Sequence, residues 1–243
     1  MTLKNMKKMT VLGAVMAMGM SLPAMAGFTV DYDAALDFPM STNLNGIVGT
    51  GIPNAHFVKA VNADEGIEIG LKAHARFQPT ALPVSGENYF AQRGVFTPPG
   101  ESPGSTWNYT LAVDLGGRPI TDFQIDIFVD FNPAAGVADF TNIDLTQSAI
   151  LLGGGAVTRF GDSQNLDFSF WQSIFMAPEF DPNAVGEYEI ILSVRRISTT
   201  GGRLDGELLG EVSNTVVVVP LPSAALAGLG MLGGLGAYRR IRR

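Results

Sequence analysis

Phe123-Gln124-Ile125-Asp126-Ile127-Phe128-Val129-Asp130 places apolar side chains at odd positions and polar ones at even positions, with Phe128 the one break. Period two sends alternate side chains to opposite faces of an extended strand, so this stretch reads as a strand with one buried and one wet face. Three more stretches alternate in the same way: Ile67–Arg76, Trp107–Asp114 and Tyr188–Arg195, the last broken at Ile191. One wet face per strand is the antiparallel pattern. Shorter strand candidates are Phe28–Tyr32, His56–Val61, Ala149–Leu152, Leu166–Trp171 and Glu207–Val219. With about eight strands joined by Gly, Pro and Asn turns, the prediction is an all-β fold, an antiparallel β-sandwich of jelly-roll-like type.

Between the strands, residues 79–105 carry five prolines and several glycines and read as an irregular excursion. Asn132-Pro133-Ala134-Ala135-Gly136 and Asp181-Pro182-Asn183-Ala184-Val185-Gly186 read as turns, because Pro presets φ and Gly accepts the strained position.

Both ends of the chain differ from the middle. Lys4, Lys7 and Lys8 precede an apolar run from Met9 to Leu22, and Ala24-Met25-Ala26 follows as a small-residue cleavage site. This is the layout of a secretory signal peptide over 1–26, with Gly27 the first mature residue; a membrane anchor is the alternative. At the other end stands Val219-Pro220-Leu221-Pro222-Ser223, then a Gly-rich apolar run from Ala224 to Tyr238, then Arg239, Arg240, Ile241, Arg242 and Arg243. Two prolines keep the first part extended, and Ser223 is a suitable N-cap for a helix beginning at Ala224. The run is shorter than the roughly 20 residues of a typical span, a gap that flanking Leu221 and Ile241 or local bilayer thinning reduces. Arginines that stay on the cytoplasmic side make it a stop-transfer segment; the alternative is a buried C-terminal helix. The predicted organisation is therefore signal peptide 1–26, exported domain 27–218 and C-terminal signal 219–243.

The two terminal signals hold three lysines and four arginines and no acidic residue. Of 16 basic residues, 9 then remain against 23 acidic ones, a net of −14 for the exported part. Such a surface repels nucleic acid and anionic lipid. Cysteine is absent, which excludes disulfides, thiolate metal sites and a Cys nucleophile.

The motif Val219–Ser223, the apolar run and the terminal Arg cluster resemble, in that order, the PEP-CTERM sorting signal of Gram-negative bacteria. Leu221 stands where the name-giving motif has Glu, as in its Val-Pro-Leu-Pro variants. The resemblance implies export to the cell envelope, surface or extracellular matrix. It further implies an exosortase-like processing enzyme as partner, transient residence in the inner membrane and association with exopolysaccharide. The stretch Asp181–Tyr188 and the strand Ile67–Ala73 are loosely similar to segments of PEP-CTERM surface proteins, and that likeness brings no active site.

Residues that carry chemistry are few. His56 and His74 are the only histidines, and neither His-x-x-x-His nor His-Glu-x-x-His spacing occurs. No Gly-x-Ser-x-Gly elbow is present. Gly153-Gly154-Gly155 lacks phosphate-loop spacing and reads as a turn. Asp122, Asp126 and Asp130 share the polar phase of one strand and read first as a solvated acidic face, second as a calcium site, third as catalytic carboxylates. Trp107 falls on the apolar phase of its strand and reads as core. Trp171, opposite in phase to Phe168 and Phe170, is the better placed of the two tryptophans for stacking on a sugar ring.

No cofactor and no resident metal are expected, and no enzymatic activity. The first functional reading is a non-enzymatic structural or adhesive protein of the cell surface or matrix. A carbohydrate-binding module for exopolysaccharide is the second, and an extracellular hydrolase the third.

Overall fold

The alternating stretches form the strands that the sequence predicts, and two sheets pack face to face. The computed structural model describes residues 27–38, 52, 54–78, 81–134, 139–147, 150, 155–199, 201–202 and 204–220. The signal peptide, the C-terminal signal beyond Pro220 and all of the candidate Ala149–Leu152 except Ile150 lie outside the described residues.

The first sheet contains β1 (Phe28–Ala34), β2 (Phe57–Asn62), β3 (Ile67–Ala75), β8 (Trp107–Asp114) and β11 (Arg159–Gln164), in the order β1-β2-β3-β8-β11. The second contains β4 (Val84–Ser85), β5 (Asn88–Gln92), β9 (Phe123–Asp130), β10 (Phe140–Asp144), β12 (Gly186–Arg196) and β13 (Leu208–Val219), in the order β10-β9-β12-β13-β5-β4. A small hairpin, β6 (Val95–Phe96) with β7 (Gly104–Ser105), stands apart. Every pairing is antiparallel except β13 with β5, which is parallel, so the fully antiparallel expectation fails at that one ladder.

The core lies where period two puts it. Ile67, Ile69 and Leu71 of β3, Trp107, Tyr109, Leu111 and Val113 of β8, Phe123, Ile125, Ile127 and Val129 of β9, and Tyr188, Ile190, Leu192 and Val194 of β12 are all buried in one cluster. β13 adds Val212, Val216 and Val218 from its even positions. Removing this apolar area from water is the main stabilising term of a sandwich without disulfides. Polar side chains enter it as well: Asn214, in the inward phase of β13, is fully buried, and Asn62 of β2 is buried with its Nδ2 donating to the Leu209 carbonyl at 3.0 Å.

Three departures from the sequence reading are local. Leu166–Trp171 is not a strand. The strand is β11, just upstream, and the chain turns at Asn165 into a short helix, α1 (Phe170–Phe175), which ends at Met176 in the left-handed region. β5 and β10 fall in segments that read as loops. In β5 only Tyr89 and Ala91 are buried, and in β10 only Ile143, so each gives too little alternation to stand out among turn-forming neighbours.

β12 begins at Gly186, whose φ of 155° and close approach to Pro133 leave no room for a side chain. A Cβ there would run into the Pro133 carbonyl oxygen and lie 2.6 Å from Pro133 Cβ, while Glu187 N–H donates to that same carbonyl at 3.2 Å. Gly186→Ala is expected to destabilise the domain by about 1–3 kcal/mol through backbone strain and overpacking. Thermal denaturation monitored by circular dichroism checks this against wild type.

Candidate functional site

The outer face of the first sheet holds a cluster of polar side chains from three strands. Lys72, Thr110 and Ser163 are Cα partners in one row across β3, β8 and β11, and His74 pairs with Asn108 in the next. This is the polar phase of β3, yet it is not wet. Leu36, Phe38, Phe57 and Ala112 make a second apolar cluster on the same face. Gly70 admits it: a Cβ there would lie 2.5 Å from Leu36 Cδ2 and 2.9 Å from Phe57 Cδ1.

Within the cluster Lys72 Nζ donates to the Ala55 carbonyl at 3.2 Å and sits 4.4 Å from the centre of the Phe57 ring. Burial pulls its ammonium down to about 8. His74 Nδ1 lies 3.2 Å from the Ala75 carbonyl, which assigns the ring proton to Nδ1 and leaves Nε2 as acceptor. Two hydroxyls surround that acceptor, Thr110 Oγ1 at 2.9 Å and Ser163 Oγ at 3.3 Å, and they lie 3.0 Å from each other. Burial, reinforced by the Lys72 charge and opposed by the Ala75 carbonyl, lowers His74 to about 4.

A serine beside a histidine invites comparison with nucleophilic catalysis, and the electrostatics argue against it here. A general base works best with a pKa near the operating pH and must carry the proton it takes. An imidazolium at His74 would be buried beside Lys72, and its Nδ1 faces a neutral carbonyl in the position where a carboxylate would stabilise it. The cluster ties three strands together through neutral hydrogen bonds. His56, the other histidine, pairs with Asp33 through Nδ1 at 2.5 Å and takes no part.

The acidic candidates do not form a solvated face. Asp122 is exposed on a 3-10 turn, but Asp130 is buried and Asp126 is 0 % exposed. Asp126 stands opposite Ser193 and Asp144, on a face that also carries the Cα partners Phe128 and Ile191. Asp130 Oδ1 accepts from Asn132 N–H at 2.9 Å and Asp139 N–H at 3.0 Å, so it organises the loop after β9. The three carboxylates do not converge, and among the described residues no group of three or more His, Cys, Asp or Glu is placed to hold a metal.

Trp171 is not available to a sugar. It is 2 % exposed on α1, its Nε1–H donates to the Asn165 carbonyl at 2.8 Å, and Tyr109, Phe131, Phe170 and Phe175 surround its ring. The period-two phase that set it apart from Phe168 and Phe170 does not apply on a helix. Trp107 is buried against Phe180 and Tyr188.

Two residues without a sequence signal hold together the end of the sandwich where β13 finishes. Asn165 is fully buried. Its Oδ1 accepts from Ser105 N–H, Ser105 Oγ and Asp167 N–H, and its Nδ2 reaches the Ser105 and Trp107 carbonyls and Asn108 Oδ1. Arg76 is buried as well, donating to the Ser102 carbonyl at 2.8 Å with its guanidinium over Phe168, and Gly104 leaves it space. At this end the Val219 carbonyl accepts from Arg93 N–H at 3.2 Å, and the Pro182 carbonyl from Gly94 N–H at 2.7 Å. Of the motif residues, Val219 closes the ladder opposite Gln92 and Pro220 follows it; Leu221, Pro222 and Ser223, the Arg cluster and the cleavage-site residues Ala24 and Ala26 lie outside the described residues. No family model, curated protein or solved structure matches the chain.

Asp162 gives a pH-dependent prediction. Its carboxylate on β11 accepts from Ser163 N–H and Gln164 Nε2, and burial outweighs both to raise it to about 6. A folded pKa above the ordinary carboxylate value means a stabilising contribution that is full below about 4 and lost as pH rises through about 6. Asp162→Asn is therefore expected to match wild type near pH 4 and to exceed its stability by about 1–3 kcal/mol at pH 8. Denaturant melts at the two pH values measure the difference, and an equal offset at both would refute the assignment.

Proposed function

We propose that this chain is a non-enzymatic structural or adhesive protein of the cell envelope, surface or extracellular matrix. In this reading residues 1–26 direct export and are removed, and the unit displayed is the two-sheet domain 27–218, of jelly-roll-like type. The C-terminal signal halts in the inner membrane with Arg239, Arg240, Arg242 and Arg243 in the cytoplasm, and an exosortase-like enzyme processes it near Val219–Ser223. The carrying observation is the order of motif, apolar run and Arg cluster at the C-terminus, with a signal-peptide layout at the N-terminus. The end of β13 at Val219 supports it, because the last strand and the motif meet with no linker between them. Exopolysaccharide is the proposed environment, and the carbohydrate-binding reading loses its tryptophan candidate with the burial of Trp171.

The test is the mass of the mature C-terminus, with cell fractionation, in a host that has the sorting enzyme. Wild type is expected to lose the Arg cluster. Replacing the four arginines with Gln is expected to weaken the halt, so that unprocessed chain leaks outward. Pro220→Ala with Pro222→Ala is expected to keep the halt and block processing, so that full-length membrane-bound chain accumulates. A wild-type protein that retains Arg243 and stays in the inner membrane would make the tail an ordinary anchor.

A further inference from the structure

Exposed apolar side chains gather at one end of the sandwich. Among the described residues eleven large hydrophobics are exposed, and five of them, Phe77, Val95, Ile174, Met176 and Val185, lie in the connecting segments around the C-terminal end of β13. They include the three most exposed: Met176 at 88 %, Ile174 at 67 % and Phe77 at 61 %. The opposite end, at the β12–β13 connection, offers Ile197 at 44 % and Leu204 at 41 %.

The pairing fixes this common location. Phe77 follows β3, which ends beside the start of β8, with Arg76 N–H bonded to the Thr106 carbonyl. Val95 begins the hairpin after β5, which runs parallel to β13 and ends with it. Val185 precedes Gly186, the Cα partner of Val218. Ile174 and Met176 come from α1, which Trp171 anchors on Phe131 at the end of β9. The Arg76 guanidinium lies over both the Phe77 and Phe168 rings and joins the β3 end to the segment leading into α1.

Two of these residues occupy conformations that apolar side chains avoid. Phe77 has φ of 50° and Met176 of 53°, where Gly or Asn is less strained and Asn better hydrated. Stability and solubility alone would favour those residues, and strain retained at exposed apolar positions points to a use for them.

The chain leaves the fold at this same end. Val219 closes β13, Pro220 is exposed, and the apolar run begins at Ala224. Five residues reach at most about 17 Å when fully extended, so a bilayer holding that run would lie within this distance of Val219, at the end of the sandwich that carries these side chains. We propose that this end of the sandwich is a bilayer-contact surface, with Phe77, Val95, Ile174, Met176 and Val185 seated among the headgroups while the tail is in the membrane. This rests on the stop-transfer reading of the tail given above. The lipid is zwitterionic in character, because Glu101, Glu179 and Asp181 are exposed in the same loops and would be repelled by an anionic surface. Seated in this way, the domain leaves the processing enzyme only a short segment from Pro220 to Ser223 at the bilayer surface.

The absence of native cysteine makes single-site labelling direct. Ile174→Cys, Met176→Cys and, as controls, Ile197→Cys and Leu204→Cys are introduced one at a time into the full chain from Gly27 to Arg243. Each carries a nitroxide and is reconstituted at one copy per nanodisc of zwitterionic lipid. All four sites are exposed, so the fold is expected to survive, which circular dichroism checks. The ratio of collision with oxygen to collision with a water-soluble nickel chelate is expected to be severalfold higher at 174 and 176 than at 197 and 204, and to fall when anionic lipid is added. Equal ratios at all four positions in protein that has entered the discs would overturn the bilayer contact and leave the tail reading intact. Failure to enter the discs would overturn the tail reading and this proposal with it. Protection that appears only with two copies per disc would assign the surface to a second copy and also overturn the proposal.

Discussion

β13 is paired along both edges, with β12 from Gly186 to Arg195 in antiparallel register and with β5 in parallel register, and its inward face packs on β2 and β3 of the other sheet. It is the last strand among the described residues, yet it occupies an interior position in its sheet. The second sheet therefore stays open, and the core is exposed along its length, until the final residues of the domain arrive. Long-range and parallel pairings of this kind come late in folding because the loop entropy is lost before the contacts form. Under the proposed function, a tail that holds the chain at the membrane after export would give the domain time to close.

The long alternating strands were legible because each places four or more apolar residues on one face, a signal that two sheets sharing a core require. β5, β10 and β11 were not, for the same physical reason in reverse. Phe160 of β11 and Ile143 of β10 are single buried apolar residues in polar strands near the sheet edges, and the ladder rather than side-chain burial holds them. The parallel β13–β5 ladder leaves no local mark, since nothing in Asn88–Gln92 states which strand it will join.

The polar faces were less legible than the apolar ones. Lys72, His74 and Asp126 occupy the phase that faces water in a simple sandwich, yet Lys72 and Asp126 are buried and His74 is half-buried. For the first sheet the cause is tertiary: Leu36 and Phe38, from a segment with no strand pattern, cover Gly70 and Ala112. Asn165 and Arg76 show the same limit. Their roles come from backbone carbonyls brought together by loops, and an isolated Asn or Arg in sequence announces none of that. The proposed terminal signals rest on composition and order alone.

The central structural claim is that the fold ends where the tail begins, with β13 as full a member of the core as any strand. Native-state hydrogen exchange on the full chain tests it most directly. The account predicts that the amides of Val212, Val216 and Val218 exchange only through global unfolding, with the same free energy as those of Leu192 in β12 and Leu111 in β8. A lower free energy confined to β13, with β12 and β8 still protected, would show that the last strand opens on its own and would contradict the account.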